Sequence, residues 1–244
     1  MSDALHRAAE AIRGARCAIA LTGAGISVES GIPPFRGKGG LWLKYPPEEY
    51  ASIDGYLRNP GKVWRFWLEL AQTLGGCRPS PAHYALAELE SAGRLEAVIT
   101  QNVDRLHQEA GSNNVIEFHG NFSRLACLDC GATRPTDLEH LDERPPRCHV
   151  CSGLMKPGFV MFGEMIPTDA LIEADRLAQV CDVVLVVGTS ANVFPAASVP
   201  ITAKRHRAFI IESNIEPTEF TESVTDAFLE GPAGEVLPRL VELV

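Results

Sequence analysis

The chain has 244 residues, of which 45% are hydrophobic and 22% charged, and its formal net charge is −9 at pH 7. This excess of acidic side chains argues against a general nucleic-acid-binding protein, which needs a basic face. The longest apolar run, at 183–187, is far too short to span a bilayer, and the N-terminus lacks a basic start followed by an apolar core. We therefore expect a cytoplasmic protein that does not bind membranes, and we also expect a monomer.

The first half of the chain begins with a helix, a strand and a long segment without regular periodicity. Residues 31–60 are rich in proline and glycine, which predicts an irregular loop of the kind that tends to be functional. Ser80 as N-cap and Pro81 in the first turn predict the start of a later helix. The predicted elements are helix 3–14, strand 17–21, loop 31–60, helices 61–74 and 81–92, and strand 95–100.

The second half alternates strands and helices after an interruption between 120 and 160, where cysteine pairs and prolines indicate a small inserted module. Strands that alternate with helices predict an α/β fold, a Rossmann-like parallel sheet with helices on both faces. The predicted elements are strand 114–118, helix 168–180, strands 182–187 and 208–212, and helix 232–243. We assign residues 1–119 and 164–244 to the Rossmann-like domain and residues 120–163 to the module.

A glycine-rich turn, Gly23-Ala24-Gly25, directly follows the first predicted strand. A strand, Gly-x-Gly and a helix can bind a pyrophosphate, because glycines let the backbone approach the phosphates and the helix N-terminus offers free N–H groups. The complete dinucleotide fingerprint has a third glycine where this chain has Val28, and an acidic residue about 20 positions on, where the proline-rich loop intervenes. Taken alone, the turn is equally compatible with a plain structural role.

Four of the seven cysteines form two Cys-x-x-Cys pairs, Cys127 with Cys130 and Cys148 with Cys151. Two such pairs can bring four thiolates into tetrahedral contact with Zn²⁺ at about 2.3 Å. In a reducing compartment this pattern favours a metal over disulfides. Four protein ligands close the coordination sphere, so we expect one structural Zn²⁺ in a zinc-ribbon module.

Further short motifs follow in order along the chain. Together with the glycine turn and the cysteine pairs, they resemble the sirtuin family of NAD-dependent protein deacylases over nearly the whole chain. The motifs are Gly-Ala-Gly-Ile-Ser at 23–27, Gly-Ile-Pro-Pro-Phe-Arg at 31–36, Thr-Gln-Asn-Val-Asp at 100–104, Phe-His-Gly at 118–120, Phe-Gly-Glu at 162–164, Gly-Thr-Ser at 188–190, Asn214, and Gly-Pro-Ala-Gly-Glu at 231–235. The resemblance implies an enzyme that consumes NAD while it removes an acyl group from a protein lysine, releasing nicotinamide and O-acyl-ADP-ribose.

The resemblance implies three catalytic residues, His119, Asn102 and Asp104. His119 would be the general base that acts on the ribose hydroxyls, since an imidazole accepts a proton near neutral pH. Asn102 and Asp104 would line the nicotinamide pocket. Without the resemblance, His119 could equally be a structural histidine at a strand end, and the polar run at 101–104 a helix cap.

The resemblance also implies that loop 31–60 is mobile and closes over bound NAD. Phe35 would shield the reactive anomeric carbon from water, and Arg36 would help to hold NAD. Pro34 stands where the family usually has Asp or Thr, so the loop should be stiffer there. The implied NAD-binding residues are Gly23, Ala24, Gly25, Ser27, Phe35, Arg36, Gln101, Asn102, Asp104, Gly188, Thr189, Ser190, Asn214 and Ala233.

The acylated lysine would enter between the module and the Rossmann-like domain. Val160 and Gly163 would pair with the substrate main chain, and Phe162 would wall the tunnel for the lysine stem. Family members that remove succinyl or malonyl groups carry a Tyr-x-x-Arg pair, and Trp67 and Leu70 occupy those positions here. Because Leu70 offers no guanidinium to an acyl carboxylate, we expect acetyl or a longer apolar acyl group.

Several other interpretations are open at this point. A mono-ADP-ribosyltransferase on the same fold and a long-chain fatty deacylase would share these motifs. A hydride-transferring dehydrogenase would use the same glycine turn, but it leaves the cysteine quartet and the long loop without a role. A catalytically silent, zinc-stabilised binding module is disfavoured by the intact His119, Asn102 and Asp104.

Overall fold

The computed structural model of the protein describes residues 2–37, 39–137 and 140–244. Two short 3₁₀ helices span Ala24–Ser30 and Leu41–Leu43. The α-helices are α1 Ser2–Gly14, α2 Pro47–Tyr50, α3 Ile53–Arg58, α4 Pro60–Gly75, α5 Pro81–Ser91, α6 Leu106–Glu109, α7 Thr168–Val180, α8 Ser198–Arg205, α9 Glu219–Ser223 and α10 Ala233–Val241. The strands are β1 Ala18–Thr22, β2 Ala97–Thr100, β3 Val115–Glu117, β4 Arg124–Cys127, β5 Thr133–Pro135, β6 Met155–Pro157, β7 Val183–Val187, β8 Phe209–Asn214 and β9 Ala227–Glu230.

The larger sheet is parallel throughout, with the strand order β3-β2-β1-β7-β8-β9. One apolar cluster packs beneath α1, α5 and α10, and a second packs beneath α7 and α8, so helices cover both faces. β1 and β7 are buried along their whole length, as central strands of a parallel sheet are. The predicted Rossmann-like architecture is confirmed. The strand order reverses between β1 and β7, which opens a crevice at the carboxyl ends of the strands.

The smaller sheet is antiparallel, with the order β5-β4-β6, and it carries the cysteine pairs. A third apolar cluster joins this sheet to α3 and α4. The fully buried Tyr56 donates its hydroxyl to the carbonyl of Met155 at 2.5 Å, and the Trp64 indole donates to the carbonyl of Asp142 at 2.9 Å. These contacts anchor the module on α3 and α4.

Loop 31–60 is less irregular than its composition predicts. The segment contains the 3₁₀ helix Leu41–Leu43 and the helices α2 and α3, with the Ser52 side chain as the N-cap of α3. Its aromatic residues explain the order, because Tyr45 and Tyr50 pack on Phe66 of α4 at ring distances of 4.6 and 5.2 Å. The expectation of an irregular loop throughout 31–60 is therefore wrong, since tertiary contacts outweigh the proline and glycine content, while its mobility stays a prediction.

The predicted element boundaries differ from the observed ones by a few residues, and four α-helices and strands outside loop 31–60 and the module were not predicted. Helix 168–180 coincides with α7, and Ser80 caps α5 with Pro81 at its first turn. The helices α6, α8 and α9 and the edge strand β9 were missed. α6, α9 and β9 are too short for a clear period, and α8 contains a proline that argues against a helix.

Within the described residues, none of the helices is both long enough and apolar enough to traverse a bilayer.

Candidate active site

A cavity of about 1200 Å³ opens along the carboxyl ends of the parallel strands and continues to the segment after β6. The predicted site residues that line it are Gly23, Ala24, Gly25, Phe35, Arg36, Trp67, Gln101, Asn102, His119, Val160, Phe162, Gly163, Gly188, Thr189, Ser190, Asn214 and Ala233. Three further predicted residues, Ser27, Asp104 and Leu70, lie outside this lining. Leu70 is 8% exposed and packs in the apolar cluster around α4.

The glycine turn lies directly against the turn that follows β7. The Gly25 N–H donates to the carbonyl of Gly188 at 2.8 Å, and the Gly23 N–H donates to the carbonyl of Val187 at 3.0 Å. A Cβ atom at Gly25 would lie 2.6 Å from the Cα of Gly188, which itself has a φ of +58°. Glycine is therefore required on both sides of this contact, which brings two strand ends together at the floor of the cavity.

We predict that Gly25→Ala impairs use of a dinucleotide, because the new Cβ displaces the backbone that approaches the phosphates. A shift of about 1 Å can lower kcat/KM on the order of 100-fold, and steady-state kinetics with NAD varied would measure it. Gly61→Ala is the matched control, since a Cβ at Gly61 meets nothing within 4 Å. That variant should keep its kinetics and gain about 0.5 kcal/mol in the free energy of unfolding. Equal NAD kinetics in both variants would contradict the prediction.

Asn102 links the cavity to two polar residues behind it. Its amide nitrogen donates to the carbonyl of Gly23 at 3.1 Å and to Ser27 Oγ at 3.2 Å. Ser27 Oγ in turn donates to Asp104 Oδ2 at 2.7 Å, and the Leu106 N–H donates to Oδ1 at 3.0 Å. Burial raises the pKa of Asp104 above its usual range. Asp104 thus fixes Ser27 and Asn102 from behind and does not itself line the cavity.

A second buried hydrogen-bond network, which the sequence did not predict, binds the main chain of Asn102. Thr22 Oγ1 donates to Thr100 Oγ1 at 2.9 Å, and Thr100 Oγ1 accepts the backbone N–H of Asn102 at 3.1 Å. His107 Nε2 lies 2.9 Å from Thr22 Oγ1. Burial lowers the pKa of His107 to about 3 and that of the adjacent His83 to about 4, so both imidazoles are neutral at pH 7.

His119 lines the cavity in the form whose distal ring nitrogen can accept a proton. Its Nδ1 lies 3.0 Å from the carbonyl oxygen of Gln101. A carbonyl can only accept, so Nδ1 carries the hydrogen and Nε2 keeps its free lone pair. Burial lowers the pKa of His119, and the hydrogen bond to Gln101 opposes this shift only in part. The imidazole is therefore a neutral base at physiological pH.

The cavity also has an apolar wall. Phe159, Met161 and Phe162 line it together with Trp67, whose ring centroid lies 4.4 Å from that of Phe159. The apolar run at 159–162 could have predicted this wall from the sequence. Trp42, on loop 31–60, also lines the cavity and stacks on Phe35 with a centroid distance of 4.9 Å, and no sequence signal indicated that contact.

The four paired cysteines form one cluster, in which all Sγ atoms lie within 4.8 Å of one another. Cys127 Sγ lies 3.5 Å from Cys151 Sγ, and Cys130 Sγ lies 3.7 Å from Cys148 Sγ. Zn–S bonds of about 2.3 Å place tetrahedral sulfurs about 3.8 Å apart, so the thiolates fit a zinc ion. The cluster lies in the small sheet and contributes no residue to the cavity lining, which makes it a structural site.

Comparison with known proteins decides which family has this arrangement. The model of the Sir2 family matches residues 23–195, which include the glycine turn, His119 and all four paired cysteines. The chain belongs to the Sir2 family. The sirtuin resemblance inferred from the motifs is thus confirmed, and the parallel sheet with an inserted cysteine module is the Sir2 fold.

Sir2 relatives match along almost the whole chain. NAD-dependent protein deacylase 2 of Pyrobaculum aerophilum is 49% identical over 97% of this chain and 94% of the relative. NAD-dependent protein deacylase of Pyrococcus furiosus is 50% identical over 92% of both. The structure of a Sir2 homologue–NAD complex is 43% identical and covers 97% of this chain and 92% of its own, with a TM-score of 0.92. Sir2Af2 bound to a myristoylated histone peptide is 41% identical and covers 100% and 97%, with a TM-score of 0.82.

Proposed function

We propose that this Sir2 protein is an NAD-dependent protein-lysine deacylase that consumes NAD and one water molecule for each acyl group and releases nicotinamide, O-acyl-ADP-ribose and free lysine. The observation that carries the proposal is a single cavity that joins a dinucleotide-type crevice to an apolar wall and is also lined by the neutral base His119. Relatives named NAD-dependent protein deacylase support it, as does a neighbour solved with NAD. The structural zinc stabilises the small sheet and takes no part in the chemistry.

Each part of the cavity has a proposed role. Gly23, Gly25 and Gly188 carry no side chains and so let the pyrophosphate of NAD come close to the main chain, and Asn214 meets the adenosine ribose. NAD supplies an anomeric carbon that loses nicotinamide and accepts the acyl oxygen. His119 Nε2 takes the proton of a ribose hydroxyl, and its Nδ1–H bond to the Gln101 carbonyl keeps the ring oriented for that transfer. Phe35 and Trp42 exclude water.

Adenine-labelled NAD distinguishes this reaction from ADP-ribosyl transfer. With an acetyl-lysine peptide, the label should leave the protein fraction entirely and appear in O-acetyl-ADP-ribose. Label that stays bound to protein or peptide in proportion to the nicotinamide released would instead show a mono-ADP-ribosyltransferase.

We predict a rate that depends on pH through His119. The base must be unprotonated, and burial lowers its pKa below the ordinary value of 6.5. The kcat/KM for the peptide should therefore rise with pH along an acid limb centred below 6.5 and stay level above it. A pH–rate profile measures the limb, and a midpoint above 6.5 would refute the assignment.

We also propose acetyl and longer apolar acyl groups as substrates. The wall of the cavity is apolar, and Arg36 is the only positively charged side chain among the described residues that line it. Leu70, at the position where desuccinylating relatives carry arginine, is buried in the core. An acyl carboxylate would therefore lose its hydration without gaining an ion pair.

Turnover of acetyl, myristoyl and succinyl versions of one peptide tests this preference. We expect the succinyl peptide to react at least about 10-fold more slowly than the acetyl peptide, because burying an unpaired charge costs more than about 1.4 kcal/mol. A succinyl peptide that reacts as fast as the acetyl peptide would refute the preference.

Cytoplasmic location and a monomeric state stay predictions from the sequence.

A further inference from the structure

A buried lysine outside the catalytic set holds the segment that forms the apolar wall. The Lys156 side chain is only 10% exposed, and its ammonium group lies 2.9 Å from Glu164 Oε2. The same nitrogen donates to the carbonyl of Pro157 at 3.0 Å and to that of Phe159 at 2.7 Å. All three hydrogens of the ammonium group are thus used within the stretch of chain that leads from β6 into the cavity.

Glu164 closes the other end of this stretch. Its Oε2 accepts the backbone N–H of Met161 at 2.8 Å, and its own N–H donates to the carbonyl of Met161 at 3.0 Å. The carboxylate therefore bridges the Lys156 ammonium group and the main chain three residues back. Lys156 and Glu164 together hold residues 156–164 around one ion pair, of which the lysine is buried and the glutamate partly buried.

Some of the other main-chain N–H and C=O groups of residues 156–164 are hydrogen-bonded to neighbouring segments, and others are free. The Val160 N–H donates to the carbonyl of His119 at 2.8 Å, and Phe162 exchanges hydrogen bonds with Ala51 and Ile53 at 2.8 and 3.0 Å. Within the described residues, the Val160 carbonyl and the Gly163 N–H have no hydrogen-bond partner, and both residues line the cavity. A free acceptor and a free donor on a segment that lines the cavity are what an added peptide strand requires.

We infer that Lys156 and Glu164 are positioning residues for the substrate peptide. Their ion pair binds other polar groups of residues 156–164 within the segment itself. The Val160 carbonyl and the Gly163 N–H therefore stay available to the peptide main chain beside the acyl-lysine. The inference rests on the proposed function and deepens it. Neither residue bonds to the glycine turn or to the end of β7, so the ion pair acts on the peptide side of the cavity and not on the NAD side.

The test uses Lys156→Met and Glu164→Gln in the full chain. The affinity for an acetyl-lysine peptide is measured by fluorescence anisotropy, the affinity for ADP-ribose by calorimetry, and kcat and peptide KM by steady-state kinetics. We expect at least a tenfold loss of peptide affinity and a matching rise in peptide KM in Lys156→Met, with ADP-ribose affinity within twofold and kcat within threefold of the wild type. Lys156→Arg, which can still pair with Glu164, should recover most of the peptide affinity.

Lys204→Met is the matched control. Lys204 pairs with Asp226 at 2.5 Å, and that carboxylate also accepts a backbone N–H, from Ile210 at 2.8 Å, but neither member of the pair lines the cavity. This control should lower the melting temperature without changing peptide affinity. Should Lys156→Met fail to fold, the nearly isosteric Glu164→Gln decides, with an expected severalfold loss of peptide affinity.

Peptide and ADP-ribose affinities that fall together, or a peptide affinity within twofold of the wild type in a folded variant, would overturn the inference. Failure of the proposed function looks different, because the wild type itself would then neither bind nor deacylate the peptide.

Discussion

Replacing His119 by alanine should lower kcat for deacylation by a factor on the order of 10² to 10⁴, the usual contribution of a positioned general base. His119 lines the cavity, and the hydrogen bond from its Nδ1 to the carbonyl of Gln101 orients the ring and leaves Nε2 with a free lone pair. Alanine removes the proton acceptor without adding bulk. Single-turnover and steady-state rates with an acetyl peptide measure the loss.

His206→Ala is the control for this substitution, because His206 is exposed, bonds to the carbonyl of Thr202 on α8 and does not line the cavity. The control should keep the wild-type rate. Since the base is required only after nicotinamide has departed, His119→Ala should still exchange labelled nicotinamide into NAD in the presence of peptide. A variant that keeps more than about a tenth of the wild-type kcat would remove His119 from the role of general base.

Loss of the zinc ligands should unfold the small sheet and abolish activity. A structural Zn²⁺ contributes an apparent 10–16 kcal/mol in small zinc modules, about the whole stability of a typical domain. Cys148→Ala removes a buried ligand, and we expect it to contain less than about a tenth of the one zinc per chain expected in the wild type. Its melting temperature should fall by more than about 10 °C, because the small sheet shares an apolar cluster with α3 and α4.

Cys17→Ala is the matched control, since Cys17 is half-buried and lies outside the metal cluster. This variant should keep one zinc per chain and full activity. Zinc content is measured by mass spectrometry of the metal, and unfolding by circular dichroism with and without a chelator. A Cys148→Ala protein that holds zinc at one per chain, or melts with the wild type, would show that the four cysteines are not a metal site.

The parts of the fold that follow from local pattern could be predicted from the sequence. α7 and the strand Val183–Val187 were placed correctly. In a chain that alternates strands and helices, a helical period predicts a helix, and a short unbroken apolar run predicts a buried strand. The crevice could also be placed, since the ligands of an open parallel sheet lie at the carboxyl ends of its strands. His119 follows β3, and Gly188 follows β7, so both were expected there.

What the sequence could not predict depends on contacts between distant segments. The aromatic residues of loop 31–60 are ordered by Phe66 on α4, which no local pattern records. A lysine such as Lys156 is expected at the surface from the sequence alone. In the structure it is buried, where it pairs with Glu164 and donates to two backbone carbonyls. Asp104 was expected in the nicotinamide pocket, whereas its bond to Ser27 places it behind the lining.

The stoichiometry of the reaction tests most directly whether NAD is consumed in deacylation. Purified enzyme, NAD and an acetyl-lysine peptide are incubated together, and nicotinamide, free lysine peptide and the adenine-containing product are quantified by mass spectrometry. We predict equal amounts of all three, with the adenine product heavier than ADP-ribose by one acetyl group. Free acetate with unmodified NAD, the appearance of NADH, or ADP-ribose attached to the peptide would contradict the proposed deacylase.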